Sequence, residues 1–238
     1  MPTRTRTPPE ASSNRLLAGL PPRKRRAFAG HCEPVALTFG DVLSEPDDEI
    51  EYVYFPLTGF ISVMVPAEAG ASLEVGLIGR EGMLGATIAL GVDSAPLHGL
   101  VQGAGIALRM TAAQFRRQLD ALPELRASIL RYSYVLLRQV SQMAACTRYH
   151  TVEQRLARWL LMTQDRARGA EFHLTQEFLG LMLGVRRVGV THAAGALQAR
   201  GLIGYRRGEI VVANRHGLIA ASCQCYASDK KLYQRTLG

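Results

Sequence analysis

The 238-residue sequence predicts an α+β protein: an antiparallel β-roll, then one long helix, then a winged helix-turn-helix. Three observations lead there. Short alternating apolar runs separated by turn residues fill positions 35–110. An unbroken helical pattern follows Pro123 to about Tyr149, and a helix–glycine–helix–hairpin sequence occupies 174–218. The expected divisions are a disordered tail at 1–14, the roll at 15–121, the long helix at 122–149 and the winged domain at 150–238.

The opening residues are rich in Pro, Thr, Ser and Arg and have no apolar period, hence the tail. Two short helices are expected next, at Asn14-Arg-Leu-Leu-Ala and after Pro21-Pro22. The roll is read from VALTF (35–39), YVYF (52–55), FISVMV (60–65), SLEVGLI (72–78), LVQ (100–102) and GIALRM (105–110). These runs are β-branched or aromatic and are bounded by Gly, Pro and Asp. MLGATIALG (83–91) is apolar enough for a helical turn between strands. Thr111 is placed to cap a helix over 112–119.

In the long helix Leu125, Ile129, Tyr132, Leu136, Gln139, Met143 and Cys146 alternate by four and three, which is heptad spacing. A helix of about 27 residues extends roughly 40 Å, more than a small domain needs. Leu125, Ile129, Tyr132, Leu136 and Met143 are therefore assigned to a homodimer seam, with a core helix as the alternative. Thr151 with Glu153 and Gln154 then opens a helix whose Leu156, Trp159, Leu160 and Thr163 share one face.

Thr175 caps a short helix with Phe178, Leu179, Met182 and Leu183 inward, and Gly184 ends it. A second helix from about Arg186 turns Val190, Ala193, Ala194 and Leu197 inward and ends at Gly201. A hairpin about Arg207-Gly208-Glu209 forms the wing. In such a motif the N-terminal end of the second helix meets base edges in the major groove. Here that end displays Arg186, Arg187, Val188, Thr191 and His192. An arginine there can donate two parallel hydrogen bonds to guanine, worth about 1–3 kcal/mol of discrimination. Arg200, Arg206 and Arg207 are assigned to phosphates, and Thr175 and Gln176 complete the expected DNA-contact set.

Charge divides along the chain in the same sense. Residues 1–32 hold seven Lys/Arg against one acid, 33–124 hold four against thirteen, and 148–216 hold eleven against five. The basic ends suit a polyanion such as double-stranded DNA, and the acidic middle does not. No apolar run approaches the roughly 20 residues of a membrane span. The basic N-terminus has no following apolar segment, so no secretory signal is expected. Four scattered cysteines point to a reducing cytoplasm.

Three segments carry a family resemblance: TVEQRLARWLL (151–161), LTQEFLGLMLGVRRVGVTHAAGALQARGLI (174–203) and YRRGEIVVANRHGL (205–218). Over about residues 15–220 the sequence resembles the Crp/Fnr superfamily of bacterial transcription regulators. The resemblance implies a cyclic-nucleotide-binding-like roll, a dimerisation helix, an inverted-repeat operator and RNA polymerase as a further partner. Arg187 falls on the family's guanine-reading arginine. Val188 falls where the family commonly has Glu, and valine offers only apolar contact, for instance to a thymine methyl. His192 stands where an arginine is common. Gly82, Gly85, Ala86, Pro96 and Leu97 mark the candidate effector pocket, at positions resembling the family's phosphate-binding loop. Ala86 and Pro96-Leu97 replace its Glu and its Arg-Ser/Thr pair, so a small-molecule effector, if the roll takes one, is expected not to be cyclic AMP.

An enzyme reading fares worse. A cupin-like barrel needs clustered His and carboxylates, and residues 35–110 hold a single His. Gly79, Gly82 and Gly85 miss the dinucleotide fingerprint. The iron–sulfur cysteine cluster of some Crp/Fnr members is missing, since Cys32 stands alone near the N-terminus. Cys223-x-Cys225 is expected within a C-terminal helix, where i and i+2 face apart, so no metal and no cofactor is assigned.

Overall fold

The computed structural model describes residues 10–67, 72–167, 171–206 and 208–238. Asn14 anchors the first helix to the roll. Its side chain accepts from the amides of Leu16 and Leu17, capping α1 (Arg15–Ala18). Its Nδ2 donates to the carbonyls of Pro56 at 3.0 Å and Gly82 at 2.8 Å. A buried amide with every group paired is an anchor, and the described end of the expected tail holds a 3-10 turn at Ala11–Ser13, while residues 1–9 of that tail lie outside the described residues.

After α2 (Pro22–Ala29) the strands are β1 (Glu33–Leu37), β2 (Val42–Ser44), β3 (Tyr52–Pro56), β4 (Phe60–Pro66), β5 (Ser72–Ile78), β6 (His98–Gly103) and β7 (Gly105–Thr111). They pair antiparallel in two sheets, ordered β1-β7-β3 and β2-β6-β4-β5. Between them pack Leu37, Tyr54, Ile61, Val63, Val75, Ile78 and Val101. β1 begins two residues before the expected run and contains Pro34, tolerable because β1 is an edge strand. β2, of three residues, was too short for its alternation to register. The apolar insertion is a 3-10 segment, Ala86–Leu90.

Thr111 caps α3 (Ala112–Ala121) through the Gln114 amide at 3.2 Å. Then α4 (Pro123–Tyr149) runs for 27 residues. Its Leu125, Ile129 and Tyr132 are fully buried against the roll and the N-terminal helices, and Leu136 is half-buried there. Met143 is half-buried beside Arg158. The stripe assigned to the dimer seam is therefore mostly core, because the roll offers α4 an apolar bed that sequence spacing cannot distinguish from a second chain. Leu130, Tyr134 and Leu137 are exposed on the opposite side, with Leu137 65% exposed; Val140 is exposed at the edge of the inner stripe, and Tyr149 at the end of the helix.

α5 (Val152–Ala167) opens with a reciprocal cap: Thr151 N–H donates to Gln154 Oε1 at 3.0 Å, and Gln154 N–H to Thr151 Oγ1 at 3.3 Å. Beyond it come β8 (Glu171–His173), α6 (Gln176–Leu183), α7 (Arg187–Ala199), β9 (Ile203–Arg206), β10 (Glu209–Val212), α8 (Arg215–Ala221) and α9 (Cys225–Leu237). The wing is a three-stranded sheet, β8-β10-β9, rather than a bare hairpin.

The C-terminal unit sits directly on the roll. Phe60, Met64 and Leu77 of the roll share a core with Leu156, Trp159, Leu160 and Met182. At its centre Glu74 is buried, accepting from Trp159 Nε1 at 2.8 Å and Ser62 Oγ at 2.6 Å. Arg166 and Glu81 add a nearly buried ion pair at 2.6 Å. Burial raises the Glu74 carboxyl from 4.5 to about 7, against the pull of its two donors and of Arg166 and Arg158.

With the folded value raised, stability is full below the ordinary carboxylate range and falls as pH rises through about 7. The full change amounts to at most roughly 3 kcal/mol. Glu74→Gln mimics the protonated acid and should remove this component. Urea unfolding at pH 5 and pH 8 checks it: the wild type should lose stability relative to the variant, and parallel behaviour would refute the role given to Glu74.

Candidate nucleic-acid interface

Glycine geometry builds the turn between α6 and α7. Gly184 adopts φ 60° and ψ 43°, left-handed values that strain other residues. At Gly180 a Cβ would lie 2.9 Å from the Val185 carbonyl, so glycine lets the turn fold back on α6. Thr175 caps α6 through the Phe178 amide at 3.1 Å. The inner face of α7, made of Val190, Ala193, Ala194 and Leu197, is buried in the core it shares with Leu156 and Leu160 of α5.

The opposite face holds the expected readers. Arg186, Arg187, Val188, Thr191 and His192 are all exposed, Val188 by 60%. Arg186 occupies the N-cap position and makes no side-chain cap, and of the first-turn amides that of Gly189 donates to the Arg186 carbonyl at 2.9 Å. Thr191 Oγ1 donates to Gln176 Oε1 at 2.7 Å, with the Arg187 carbonyl at 3.1 Å as its alternative acceptor. Gln176 therefore bridges the two helices, and Thr191 is held beside the arginines. Thr175 is exposed at the start of α6.

The flanking arginines divide. Arg206 is exposed at the end of β9, opposite Glu209 in register. Arg207 lies outside the described residues. Arg200 sits at the far end of α7, about 20 Å along the axis from Arg187 at 1.5 Å per residue. It pairs with Glu153 at 2.6 Å, so its charge already has a partner. Tyr205 links wing and helices by donating to the Leu174 carbonyl at 3.2 Å. Burial raises its phenol, and the nearby Arg187 charge opposes that rise.

The roll encloses a cavity of about 580 Å³ that also touches Leu136, Gln139 and Val140 of α4. Gly85, Ala86, Pro96 and Leu97 line it, as expected. Gly82 does not. It faces α4 so closely that a Cβ would lie 2.2 Å from Tyr132 Oη. Glu45, Asp48, Glu49 and Glu51 also line the cavity. Arg109 is the cation there among the described residues; it pairs with Glu33 at 2.7 Å and stacks on Tyr52 at 4.4 Å. Such a wall disfavours an anionic phosphate.

A second cluster escaped sequence reading. Cys146, His150, Cys223 and Cys225 come together behind α5, with ligand-capable atoms within 4.8 Å of one another. Cys223 precedes α9 instead of lying within it, so the helical i, i+2 separation does not apply. The Cys-x3-His spacing at the end of α4 was the available signal.

Comparison with known proteins agrees with this architecture. The family model of the Crp-like helix-turn-helix domain matches residues 154–221. No curated protein matches the sequence. Among solved structures, the chain is similar to FixK2 from Bradyrhizobium japonicum, with TM-score 0.68 and 17% identity over 81% of this chain and 98% of that one. It is similar to the c-di-GMP-responsive global regulator CLP of Xanthomonas campestris, with TM-score 0.65 and 16% identity over 80% and 98%. It is also similar to TTHB099, a CRP-family transcriptional regulator of Thermus thermophilus, with TM-score 0.65 and 15% identity over 79% and 96%. At these identities the likeness is one of fold.

Arg187→Ala should cost about 1–3 kcal/mol of preference for the selected site over random DNA while salt-dependent binding persists. Selection from random DNA at fixed salt measures it, and an unchanged consensus would remove Arg187 as a base reader. Arg200→Ala should leave that consensus intact.

Proposed function

We propose that the chain, which carries a Crp-like helix-turn-helix domain and has a fold similar to that of Crp/Fnr regulators, is a DNA-binding transcription regulator of that type acting as a homodimer on an inverted-repeat operator. The observation that carries the proposal is the exposed reading face of α7, with Arg186, Arg187, Val188 and Thr191 exposed while its other face is buried. Arg187 reads guanine, and Val188 favours a thymine methyl where a carboxylate would favour cytosine. Arg186 and Arg206 supply phosphate contacts. Two copies of α7 enter successive major grooves about 34 Å apart. RNA polymerase is the further partner such a regulator addresses, and the cytoplasm is its setting.

The seam runs along the outer face of α4, through Leu130, Tyr134, Leu137 and Val140, whose spacings of four, three and three residues suit a partner helix. Val140 also lines the roll cavity, so an effector there touches the helix that forms the seam. The acidic wall of that cavity favours a neutral or cationic apolar molecule over a cyclic nucleotide.

Leu137→Glu should weaken self-association by about 30-fold or more, as for a central apolar contact, while thermal unfolding of the separated chain is little changed. Sedimentation across a concentration series checks it, and an unaltered dimer would move the seam elsewhere. Calorimetry with cyclic AMP should show no saturable heat at micromolar concentrations. A micromolar isotherm would overturn this reading of the cavity.

A further inference from the structure

Three cysteines and a histidine that DNA reading does not use gather at the junction of α4 and α5. Cys146 lies in the last turns of α4 and His150 one turn on, at its C-cap, so the two share a face. Cys223 sits in the link between α8 and α9, and Cys225 opens α9. The Sγ atoms of Cys146 and Cys223 are 3.6 Å apart, and Cys225 Sγ is 3.6 Å from His150 Nδ1. The three thiols are buried and unbridged.

These separations suit one tetrahedral ion. With metal–sulfur bonds of about 2.3 Å and metal–nitrogen bonds of about 2.0–2.1 Å, neighbouring ligand atoms stand about 3.5–3.8 Å apart. A disulfide needs about 2.05 Å between sulfurs. The surroundings supply donors aimed at sulfur: Gln142 Nε2 donates to Cys225 Sγ at 3.2 Å, and Arg158 Nη1 lies 3.9 Å from Cys146 Sγ. Arg158 is itself held by Asp229 at 2.7 Å. Such donors complement the charge that a sulfur ligand carries once a metal is bound.

We propose that Cys146, His150, Cys223 and Cys225 form a Cys3His zinc site that fastens α9 to the end of α4. Three thiolates and one imidazole close a four-coordinate shell with no open position, the pattern of a structural site. Loading displaces the thiol protons to solvent. The two cysteines of the C-terminal segment and the two ligands on α4 flank the turn into α5, so an ion there fixes how the DNA-reading unit leaves the long helix.

The test uses the full chain, reduced, stripped with a chelator and kept anaerobic. Titration with Co²⁺ should give the thiolate charge-transfer and tetrahedral ligand-field bands, saturating at one equivalent per chain and bleached by Zn²⁺. Cys223→Ser and Cys225→Ser should lose those bands, while Cys32→Ser, outside the cluster, keeps them. Gln142→Ala should lower Zn²⁺ affinity by about tenfold. Absence of the tetrahedral spectrum in the reduced wild type overturns the proposal whether or not the serine variants fold. So does loss of the spectrum in Cys32→Ser alone, or anaerobically purified protein that carries a Cys146–Cys223 disulfide and takes no zinc.

Discussion

Helix α5 has almost no free surface. Residues Arg155 to Thr163 are buried in succession, two arginines and a tryptophan among them. A helix buried on all sides must find a partner for each polar group or lose the desolvation cost of every one. Arg155 donates to the Leu183 carbonyl at the end of α6. Arg158 reaches Asp229 of α9, and Trp159 reaches Glu74 of the roll. One helix thus addresses α6, the C-terminal helix and the roll, each through a distinct hydrogen bond. The relative placement of the three follows from satisfying α5.

Electrostatics reinforce that division. The roll carries the acids, and the reading face of α7 presents its arginines outward, away from Glu74 and Glu81, which are already occupied by α5. Arginines with internal work are paired: Arg158 with Asp229, Arg166 with Glu81, Arg200 with Glu153. Arg186 and Arg187 make no ion pair among the described residues, which leaves them available to an external anion.

Local features were legible in the sequence and shared ones were not. Thr111, Thr151, Thr175 and Gly184 act through hydrogen bonds or dihedral angles within a few residues, so their roles could be read directly. The exposed face of α7 was equally local, since its inward set left one side for everything else. The face of α4 was not legible. Leu125, Ile129 and Tyr132 have the same spacing as a partner-facing stripe, and only the roll beneath them decides that they are core. Gly82 was misplaced for a related reason: its neighbour, Tyr132, lies 50 positions away. The four ligand-capable residues behind α5 were invisible as a group, because Cys146 and Cys223 are 77 positions apart and meet only when α9 docks.

The two apolar faces of α4 have a consequence for assembly. Its inner stripe is satisfied by its own chain, so a second chain meeting Leu130, Tyr134 and Leu137 finds a helix already wound and rigidly backed. Association is then docking of finished protomers, with little ordering entropy left to lose, unlike a zipper whose strands wind only together. Abundance in the cell, rather than folding, would govern how many copies are paired at any moment. Under the proposed dimer, the separated protomer would be a competent folded species, able to exchange partners without unfolding.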